Sequence, residues 1–344
     1  EGAIRGLLQQ VELPLLHLPE PVALSASIGV TLFPADDADP DTLLRHADQA
    51  MYQAKLAGKN RYQVFDAAQD SSIRAHHESL ERIRLGLANH EFVLHYQPKV
   101  NMRSGQVMGA EGLIRWQHPE RGLLPPGAFL SVIEDHALAV EVGEWVIDSA
   151  LQQLALWHAD GLALSVSVNV GARQLQQGDF VARLQALLAR HPQVNPSHLE
   201  VEILETSALA DMAQVSQVIE ECAQLGVRFA LDDFGTGYSS LTYLKRLRVA
   251  TLKIDQSFVR DMLDDPEDLA ILEGVIGLAA AFRHDVVAEG VETVAHGTAL
   301  LQLGCDLAQG YGIARPMPPG QLAAWVAQWQ PDPAWSALQR PPSA

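Results

Sequence analysis

The sequence has 344 residues, with 42 acidic and 24 basic side chains and a formal net charge of −18. This acidic balance argues against binding to a nucleic-acid polymer or to an anionic membrane surface, since both need a basic footprint. The two cysteines, Cys222 and Cys305, are too few for a disulfide framework or a thiolate zinc site and predict a reducing compartment, the cytoplasm.

At ~150 residues per domain, the length predicts about two domains. We recognise no signal peptide and no uncharged apolar run of ~18 residues in the sequence. The first residue is Glu rather than Met, which predicts that the chain is part of a longer protein.

Residues 1–67 are predicted to form a small α/β unit. Leu24–Phe33 alternates apolar and small polar residues, which is typical of a half-buried strand, and Arg61–Phe65 predicts a second short strand. Between them, Asp41 is placed to cap a helix. Residues 68–90 are polar and then helical, so we predict a turn and a connecting helix there.

Residues 91–335 show short strand-like runs, most of them separated by helical stretches. The predicted strands are Phe92–Gln97, Val107–Leu113, Leu164–Val170, Leu199–Leu204, Arg228–Asp232, Thr251–Ile254, Asp285–Glu289 and Cys305–Ala308. Eight strands in this arrangement predict an α/β fold, a TIM-like (β/α)8 barrel. Only Asn101–Gly105 joins the first two strands, which is too short for a parallel crossover. We therefore predict that the first strand is antiparallel.

Polar residues stand at the C-terminal ends of nearly all these strands, where the active site of such a barrel lies. They are Glu111, Asn169, Glu202, Asp232, Asp233, Lys253, Glu289 and Gln309. Several acids that converge on one mouth repel each other and raise each other's pKa unless a cation is present. The set therefore predicts a metal site.

The ligand types indicate which metal this is. Carboxylate and amide oxygens favour Mg²⁺ or Mn²⁺, whereas zinc usually recruits His or Cys. The 13 histidines form no His-Glu-x-x-His pattern. Two ions ~3.5–4 Å apart would use all the acids, and such a pair is typical of phosphodiester cleavage. Lys253 is then a fixed positive charge beside the attacking water or the phosphate, or alternatively a structural ion pair with one of the acids.

The segment Asp232–Tyr238 (DDFGTGY) follows a predicted strand with two glycines separated by one residue. The glycines allow a tight, adaptable turn beside the metal ligands. A flexible loop directly after metal ligands can report on bound metal or substrate, and we predict a helix after it, over 241–247. The alternative is an ordinary turn with glycines for geometry.

The order of these motifs resembles that of the EAL-domain family of cyclic di-GMP phosphodiesterases, over about residues 78–330. The matching motifs are HYQPKV, EGLIRW, HPERGLLPPGAF, SVNV, LEVEILET, DDFGTGYSSL, LKID, AEGVE and AQGYG. The resemblance implies hydrolysis of cyclic di-GMP to linear pGpG, a barrel with an antiparallel first strand, and pairing into homodimers near the loop after Asp233. It also places the helix expected over 241–247 near the dimer contact. We therefore predict that residues 233–241 switch between two states that link the site to a partner.

The resemblance also implies roles for single residues. The positions of the family's metal ligands correspond to Glu111, Asn169, Glu202, Asp232 and Asp233. Its catalytic positions correspond to Lys253, which holds the catalytic water, to Glu289, needed for the second metal or as general base, and to Glu111. Its substrate contacts correspond to Gln97, Arg115 (on a phosphate), Glu292 and Gln309, and its loop-stabilising glutamate corresponds to Glu205.

Two positions depart from the family pattern. Gly112 stands where the family has Ala, and Leu204 stands where it often has Thr. The first change removes one methyl group, and we expect activity to survive it. If the Thr hydroxyl supports the loop, the second change removes a hydrogen bond worth ~1 kcal/mol.

Residues 1–67 resemble the C-terminal part of a GGDEF (diguanylate cyclase) domain, through LSASIGVTLFP and ADQAMYQAKLAGKNRYQVF. The sequence contains no Gly-Gly dipeptide and so lacks the motif for which that family is named. This chain is therefore not expected to be a cyclase by itself.

Three functions were weighed. The first is an active metal-dependent phosphodiesterase with cyclic di-GMP as substrate. The second is a module that binds cyclic di-GMP without cleaving it, and the third is a purely structural dimerisation module. Degenerate members of the family have lost metal ligands, whereas this sequence retains every matched metal ligand and Lys253. The sequence therefore favours the enzyme.

Overall fold

The computed structural model describes residues 2–11, 24–237, 244 and 246–338. Contacts divide the chain into two units, Glu1–Glu81 and Arg82–Ala344. One continuous helix, Ala67–Ala88, runs through the point of division. The domain boundaries that we predict after residues 67 and 90 stay predictions.

The first unit is a small α/β assembly. Its elements are α1 (Gly2–Val11), β1 (Ile28–Val30), α2 (Pro40–Leu56), β2 (Tyr62–Val64) and most of α3 (Ala67–Ala88). The two strands pair in parallel. Helix α2 packs so closely on β1 that a Cβ added to Gly29 would lie 1.8 Å from the carbonyl oxygen of Ala47. Glycine is therefore required at that position of the strand.

Two local predictions in this region were wrong. The side chain that caps α2 is Asp39, which accepts hydrogen bonds from the backbone N–H groups of Asp41 and Thr42. The predicted cap, Asp41, lies inside the first turn because Pro40 begins the helix one residue earlier. The predicted turn before the connecting helix is also missing, since the carboxylate of Asp66 accepts from the N–H of Ala68 and α3 starts at once.

The described residues of the second unit form nine strands. They are β3 (Phe92–Asn101), β4 (Val107–His118), β5 (Gly122–Leu124), β6 (Ser165–Asn169), β7 (Leu199–Leu204), β8 (Arg228–Phe234), β9 (Thr251–Ile254), β10 (Asp285–Ala288) and β11 (Leu307–Ala308). All eight predicted strands are among them. The additional strand β5 is only three residues long and pairs with the outer end of β4.

Eight of these strands close a barrel in the order β3, β4, β6, β7, β8, β9, β10 and β11, with β11 pairing with β3 again. Strand β3 is antiparallel to both of its neighbours, and the other pairs within the barrel are parallel. The (β/α)8 architecture and its reversed first strand are thus confirmed.

Helices follow most of the strands and cover the outside of the barrel. They are α4 (Leu130–Ile133), α5 (Leu138–Ala159), α6 (Ala172–Leu175), α7 (Phe180–Arg190), α8 (Glu205–Ala210), α9 (Met212–Gln224), α10 (Gln256–Asp261), α11 (Pro266–Phe282), α12 (Val294–Leu303), α13 (Pro319–Gln328) and α14 (Pro333–Ser336). Two 3-10 turns occupy Pro126–Ala128 and Pro196–His198. Within the described ranges, no helix combines the length and the apolar character needed to cross a membrane.

The strand register brings the polar residues to one end of the barrel. Glu111 pairs with Gln97 on one side, and Asn169 pairs with Glu202. Along β7 and β9, buried apolar residues such as Val201 alternate with polar ones that reach across the interior. The interior below the mouth is therefore polar, and the apolar core lies between the strands and the helices.

The segment after β11 must pass very close to the segment after β10. A Cβ added to Gly310 would lie 2.3 Å from both the backbone nitrogen and the backbone oxygen of Val291. We expect Gly310→Ala to lower the free energy of unfolding by about 1–3 kcal/mol, because the backbone must shift to make room. Urea denaturation followed by circular dichroism measures this loss.

A matched control is Gly320→Ala in α13, where an added Cβ meets no atom within 4 Å. Its unfolding midpoint should equal that of the unmodified chain. Equal midpoints for both variants would contradict the close approach at Gly310.

Candidate metal centre at the barrel mouth

Lys253 lies at the centre of the carboxylates at the mouth. Its Nζ is 2.6 Å from Glu202 Oε2, 2.7 Å from Glu289 Oε1, 3.0 Å from Asp232 Oδ1 and 3.4 Å from Glu111 Oε2. The side chain is 1% exposed. Four of the predicted acids, from four different strand ends, therefore meet at one buried ammonium.

The charge of Lys253 follows from these neighbours. Burial alone would lower the pKa of the ammonium, but the four carboxylates together raise it well above its ordinary value. Lys253 thus stays protonated at any physiological pH and is a fixed positive charge.

The acids carry more negative charge than one lysine can balance. Burial, added to the repulsion of Asp232 and Glu111, raises the pKa of Glu289 to about 8, although Lys253 acts in the opposite direction. Burial and the neighbouring Asp232 and Asp255 raise the pKa of Asp233 to about 6. A second cation at this place would relieve the repulsion.

Three of the carboxylates are close enough to share that cation. Oxygen atoms of Asp232, Asp233 and Glu289 all lie within 4.8 Å of one another. Asp233 reaches this place from a backbone with φ of +54°, which is uncommon for a residue other than glycine. The unusual backbone turns two adjacent acids toward the same side of the strand end.

Glu111 is held by two amide side chains. Asn169 Nδ2 donates to Glu111 Oε1 at 2.7 Å, and Gln309 Nε2 donates to Glu111 Oε2 at 2.6 Å. Gln309 also donates to Gln97 Oε1 at 3.0 Å, and Gln97 in turn donates to the carbonyl oxygen of Ala314. We predicted Gln97 and Gln309 as substrate contacts. In the structure both side chains are buried, and Gln309 donates to Glu111 and to Gln97. Their contact with a substrate stays a prediction.

Arg115 and Glu292 lie outside this cluster. Arg115 is four residues beyond Glu111 on β4, and its guanidinium donates to the carbonyl oxygen of Ile114 at 2.8 Å. Partial burial lowers the pKa of Arg115, against the opposing effects of Tyr311 and Glu111. Glu292 is exposed, so both predicted substrate contacts stand at the rim rather than at the centre.

Glu205 supports the loop that follows the paired aspartates. It is the first residue of α8 and is fully buried. Its Oε2 accepts from the N–H of Gly235 at 3.0 Å and from the N–H of Gly237 at 3.3 Å. A Cβ added to Gly237 would lie 2.8 Å from Glu205 Oε1, so the loop packs directly on this carboxylate.

Only part of the segment that we predicted as a switch belongs to the described residues. The structure describes the loop as far as Gly237, and residues 238–243 and 245 lie outside the described part of the chain. Most of the helix expected over 241–247 lies there as well. Its predicted contact with a partner stays a prediction.

Neither departure from the family pattern disturbs the cluster. A methyl group added at Gly112 would meet Val168, Ser167 and Tyr96 at 3.4–3.5 Å, which is ordinary van der Waals contact. Alanine and glycine therefore fit equally well there. Leu204, the last residue of β7, is 40% exposed.

The sequence analysis missed a second buried lysine below the mouth. Lys99 Nζ donates to Ser167 Oγ at 2.9 Å and to Glu200 Oε2 at 3.0 Å, and it lies 3.5 Å from Glu202 Oε1. Burial would lower the pKa of Lys99, but Glu200 and Glu202 outweigh it and raise the pKa. The spacing along the strands was a signal for this lysine. Lys99 is two residues from Gln97, and Glu200 is two residues from Glu202. Each therefore shares the inward face of its strand with a predicted site residue.

Comparison with known families agrees with this geometry. Residues 80–316 match the EAL domain family, and residues 1–61 match the diguanylate cyclase GGDEF domain family. The EAL match covers more than half of the chain and contains all of the carboxylates described above.

Two curated relatives are similar along nearly the whole chain. The bifunctional diguanylate cyclase/cyclic di-GMP phosphodiesterase MucR of Pseudomonas aeruginosa is 40% identical over 325 residues, which cover 93% of this chain and 47% of MucR. The cyclic di-GMP phosphodiesterase PdeR of Escherichia coli is 36% identical over 335 residues, which cover 96% of this chain and 50% of PdeR. The chain thus spans about half the length of these relatives.

A solved structure has the same barrel. The PaMucR phosphodiesterase in complex with c-di-GMP superimposes with a TM-score of 0.69 and 41% sequence identity, covering 71% of this chain and 99% of the other. Motif order, barrel topology and sequence similarity agree with one another, and we conclude that this chain belongs to the EAL-domain family, with part of a GGDEF domain before the barrel.

Proposed function

We propose that the chain is a metal-dependent phosphodiesterase that hydrolyses cyclic di-GMP to linear pGpG. The observation that carries the proposal is the meeting of Glu111, Glu202, Asp232 and Glu289 at the Nζ of Lys253, within 3.4 Å. A structural role for Lys253 would need one acid as a partner, and four buried acids exceed that need. The relatives MucR and PdeR are named as cyclic di-GMP phosphodiesterases, which supports the choice of substrate.

The donor set fits Mg²⁺ or Mn²⁺. All the available ligand atoms at the mouth are oxygens, and the oxygens of Asp232, Asp233 and Glu289 can converge on one point. We propose that Glu111, Asn169, Glu202, Asp232 and Asp233 hold two ions, the number that such a surplus of acids suits. Bound metal would supply Lewis-acid activation of water and neutralisation of the phosphate charge.

The protein's own groups have separate tasks in this proposal. Lys253 Nζ donates a hydrogen bond to the attacking water and keeps a positive charge beside the developing negative charge of the phosphate. Glu289 either completes the second metal site or accepts the proton of that water at Oε1. Gln309 and Asn169 keep Glu111 in one orientation, so that no reorganisation is needed when the substrate arrives.

The rim of the mouth suits an anionic substrate. Arg115 stands there, and the guanidinium of Arg315 lies 4.3 Å above the ring of the exposed Tyr311. We propose that Arg115 binds a phosphate of cyclic di-GMP through its N–H donors, since guanidinium groups match phosphate geometry. Glu292 and the buried pair Gln97 and Gln309 are proposed to complete the substrate site.

The assembly of the whole protein is also a proposal, because the chain spans about half of the relatives' length. We propose a homodimer that forms through the barrel face near the loop after Asp233, and a cytoplasmic location for this part of the protein. Analytical ultracentrifugation of the chain with and without Mn²⁺ measures the dimer directly.

The function is tested by incubating the purified chain with cyclic di-GMP and Mg²⁺ or Mn²⁺ and identifying the product by chromatography. We expect pGpG, and we expect none in excess chelator. Binding of cyclic di-GMP without conversion would contradict the proposal and favour a sensor of the nucleotide.

Lys253→Met separates the role of the ammonium from that of the ligands. We expect kcat to fall by about 10²-fold or more, since a preorganised charge is lost. The affinity for Mn²⁺ should stay or increase, because the ammonium lies 2.6–3.0 Å from oxygens of three of the acids that a metal would use. The melting temperature should drop in chelator, where the acids repel each other, and recover with Mn²⁺.

The companion variant Glu111→Gln keeps the shape of the side chain and removes one ligand charge. It should lose both turnover and Mn²⁺ affinity. If Lys253→Met instead loses Mn²⁺ affinity as Glu111→Gln does, the assigned role of the lysine is wrong.

Glu205→Ala tests the loop. It removes the acceptor of two loop N–H groups, and Glu205 is not itself one of the proposed metal ligands. If the loop couples the site to a partner, turnover, Mn²⁺ affinity and the dimer equilibrium should all decrease together. Glu205→Gln retains an acceptor oxygen and should be affected less.

The expected loss for Glu205→Ala is about tenfold in kcat, the range of an outer-shell residue that orients ligands. Wild-type turnover in a folded Glu205→Ala protein would mean that the loop is an ordinary turn.

A further inference from the structure

We propose that Lys99 is a positioning residue for the proposed metal centre. Its ammonium holds the carboxylate of Glu202 from below, in the orientation that a metal ion requires. This inference rests on the proposed function, since it assigns a task in the same site. Lys99 meets the acids of the mouth through Glu202, and none of the roles given above involves it.

The position of Lys99 in the barrel is the first observation. Its side chain starts on β3 and ends between Ser167 of β6 and Glu200 of β7. Strands β4 and β6 separate β3 from β7, so the side chain crosses the barrel interior. Lys99 is 5% exposed, and it pairs with Gly109, two residues before Glu111 on β4, which places it one layer below the mouth.

The two carboxylate oxygens of Glu202 face two different ammonium groups. Its Oε2 faces Lys253 at 2.6 Å, and its Oε1 faces Lys99 at 3.5 Å. Glu202 is 0% exposed, and Oε1 accepts no hydrogen bond from the described residues. An unsatisfied oxygen of a buried carboxylate is costly, so the nearby ammonium is what makes this orientation of Glu202 stable.

Glu200 does not depend on Lys99 in the same way. It also accepts from Thr251 Oγ1 at 2.8 Å, and it lies 3.7 Å from the guanidinium of Arg228. Glu200 therefore keeps partners if the lysine is removed, whereas Glu202 Oε1 loses the ammonium at 3.5 Å. Ser167, which accepts a hydrogen bond from Lys99, fixes the height of the ammonium in the barrel.

The test uses the double variant Lys99→Met/Glu200→Gln. Removing one positive and one negative charge together keeps the net charge of the interior constant, so the long-range attraction for a metal ion changes little. It also avoids a buried Glu200 carboxylate that has lost its lysine partner at 3.0 Å, a loss that destabilises a Lys99→Met protein. The remaining change is local, because Glu202 Oε1 no longer faces a cation.

The measurement is calorimetric titration with Mn²⁺ in the absence of nucleotide. We expect the affinity of the double variant to be about tenfold or more below that of the unmodified chain, which corresponds to about 1.4 kcal/mol. A double variant with the unmodified melting temperature and the unmodified Mn²⁺ affinity would overturn the proposal, since Lys99 would then serve only as a partner of Glu200.

Two single variants complete the test. Thr251→Val removes the hydroxyl that donates a hydrogen bond to Glu200 and leaves Lys99 and Glu202 unchanged. The Mn²⁺ affinity of this variant should equal that of the unmodified chain. Glu200→Gln keeps Lys99 in place and should retain Mn²⁺ affinity within about threefold. A tenfold or larger loss in Glu200→Gln would overturn the proposal even if the double variant did not fold.

The titration also distinguishes this inference from the proposed function. An unmodified chain that binds no Mn²⁺ would refute the proposed function. An unmodified chain that binds Mn²⁺ and hydrolyses cyclic di-GMP, together with a double variant of equal affinity, would refute only the role of Lys99.

Discussion

The buried ammonium of Lys253, within 3.4 Å of four carboxylates, is the contact on which the mouth of this barrel depends. Each of these acids comes from a different strand, and each would repel the others in an interior of low dielectric. Removing one partner from a buried ion pair commonly costs about 3–5 kcal/mol, and here one lysine serves four acids. The barrel thus carries a concentrated negative charge that a single lysine only partly balances, which is the condition that favours bound divalent metal.

The architecture makes this arrangement possible. Parallel strands deliver their C-terminal residues to one mouth, and the reversed first strand adds Gln97 and Lys99 from the opposite chain direction. Amide side chains orient Glu111 from above, and the second lysine approaches Glu202 from below. Apolar residues such as Val201 and Leu252 are fully buried at alternating positions and so keep the polar interior separate from the helix-packed core.

The sequence was sufficient for the main elements of the fold and for most of the cluster. The eight predicted strands and the antiparallel start followed from periodicity and from the short connection Asn101–Gly105, because strand pairing leaves few alternatives over five residues. Strand β5 was missed because its three residues show no periodicity.

Burial and rotamer choice were what the sequence could not supply. Lys99 was missed because a lysine in a strand is usually solvated, and only the closed barrel shows that its ammonium reaches Glu200 and Glu202. Gln97 and Gln309 were predicted as substrate contacts from strand positions alone. The hydrogen bonds that Gln309 donates to Gln97 and to Glu111 depend on side-chain directions that strand positions do not determine. The capping of α2 by Asp39 depended on where Pro40 begins the helix.

The central claim is that these acids form a site for divalent metal. Anomalous diffraction at the manganese edge, from crystals of the chain grown with Mn²⁺, tests it most directly. We predict two peaks at the mouth, in contact with oxygens of Glu111, Glu202, Asp232 and Asp233, with Lys253 still beside them. Crystals that hold Mn²⁺ only elsewhere, with Lys253 still paired to all four acids, would contradict the account.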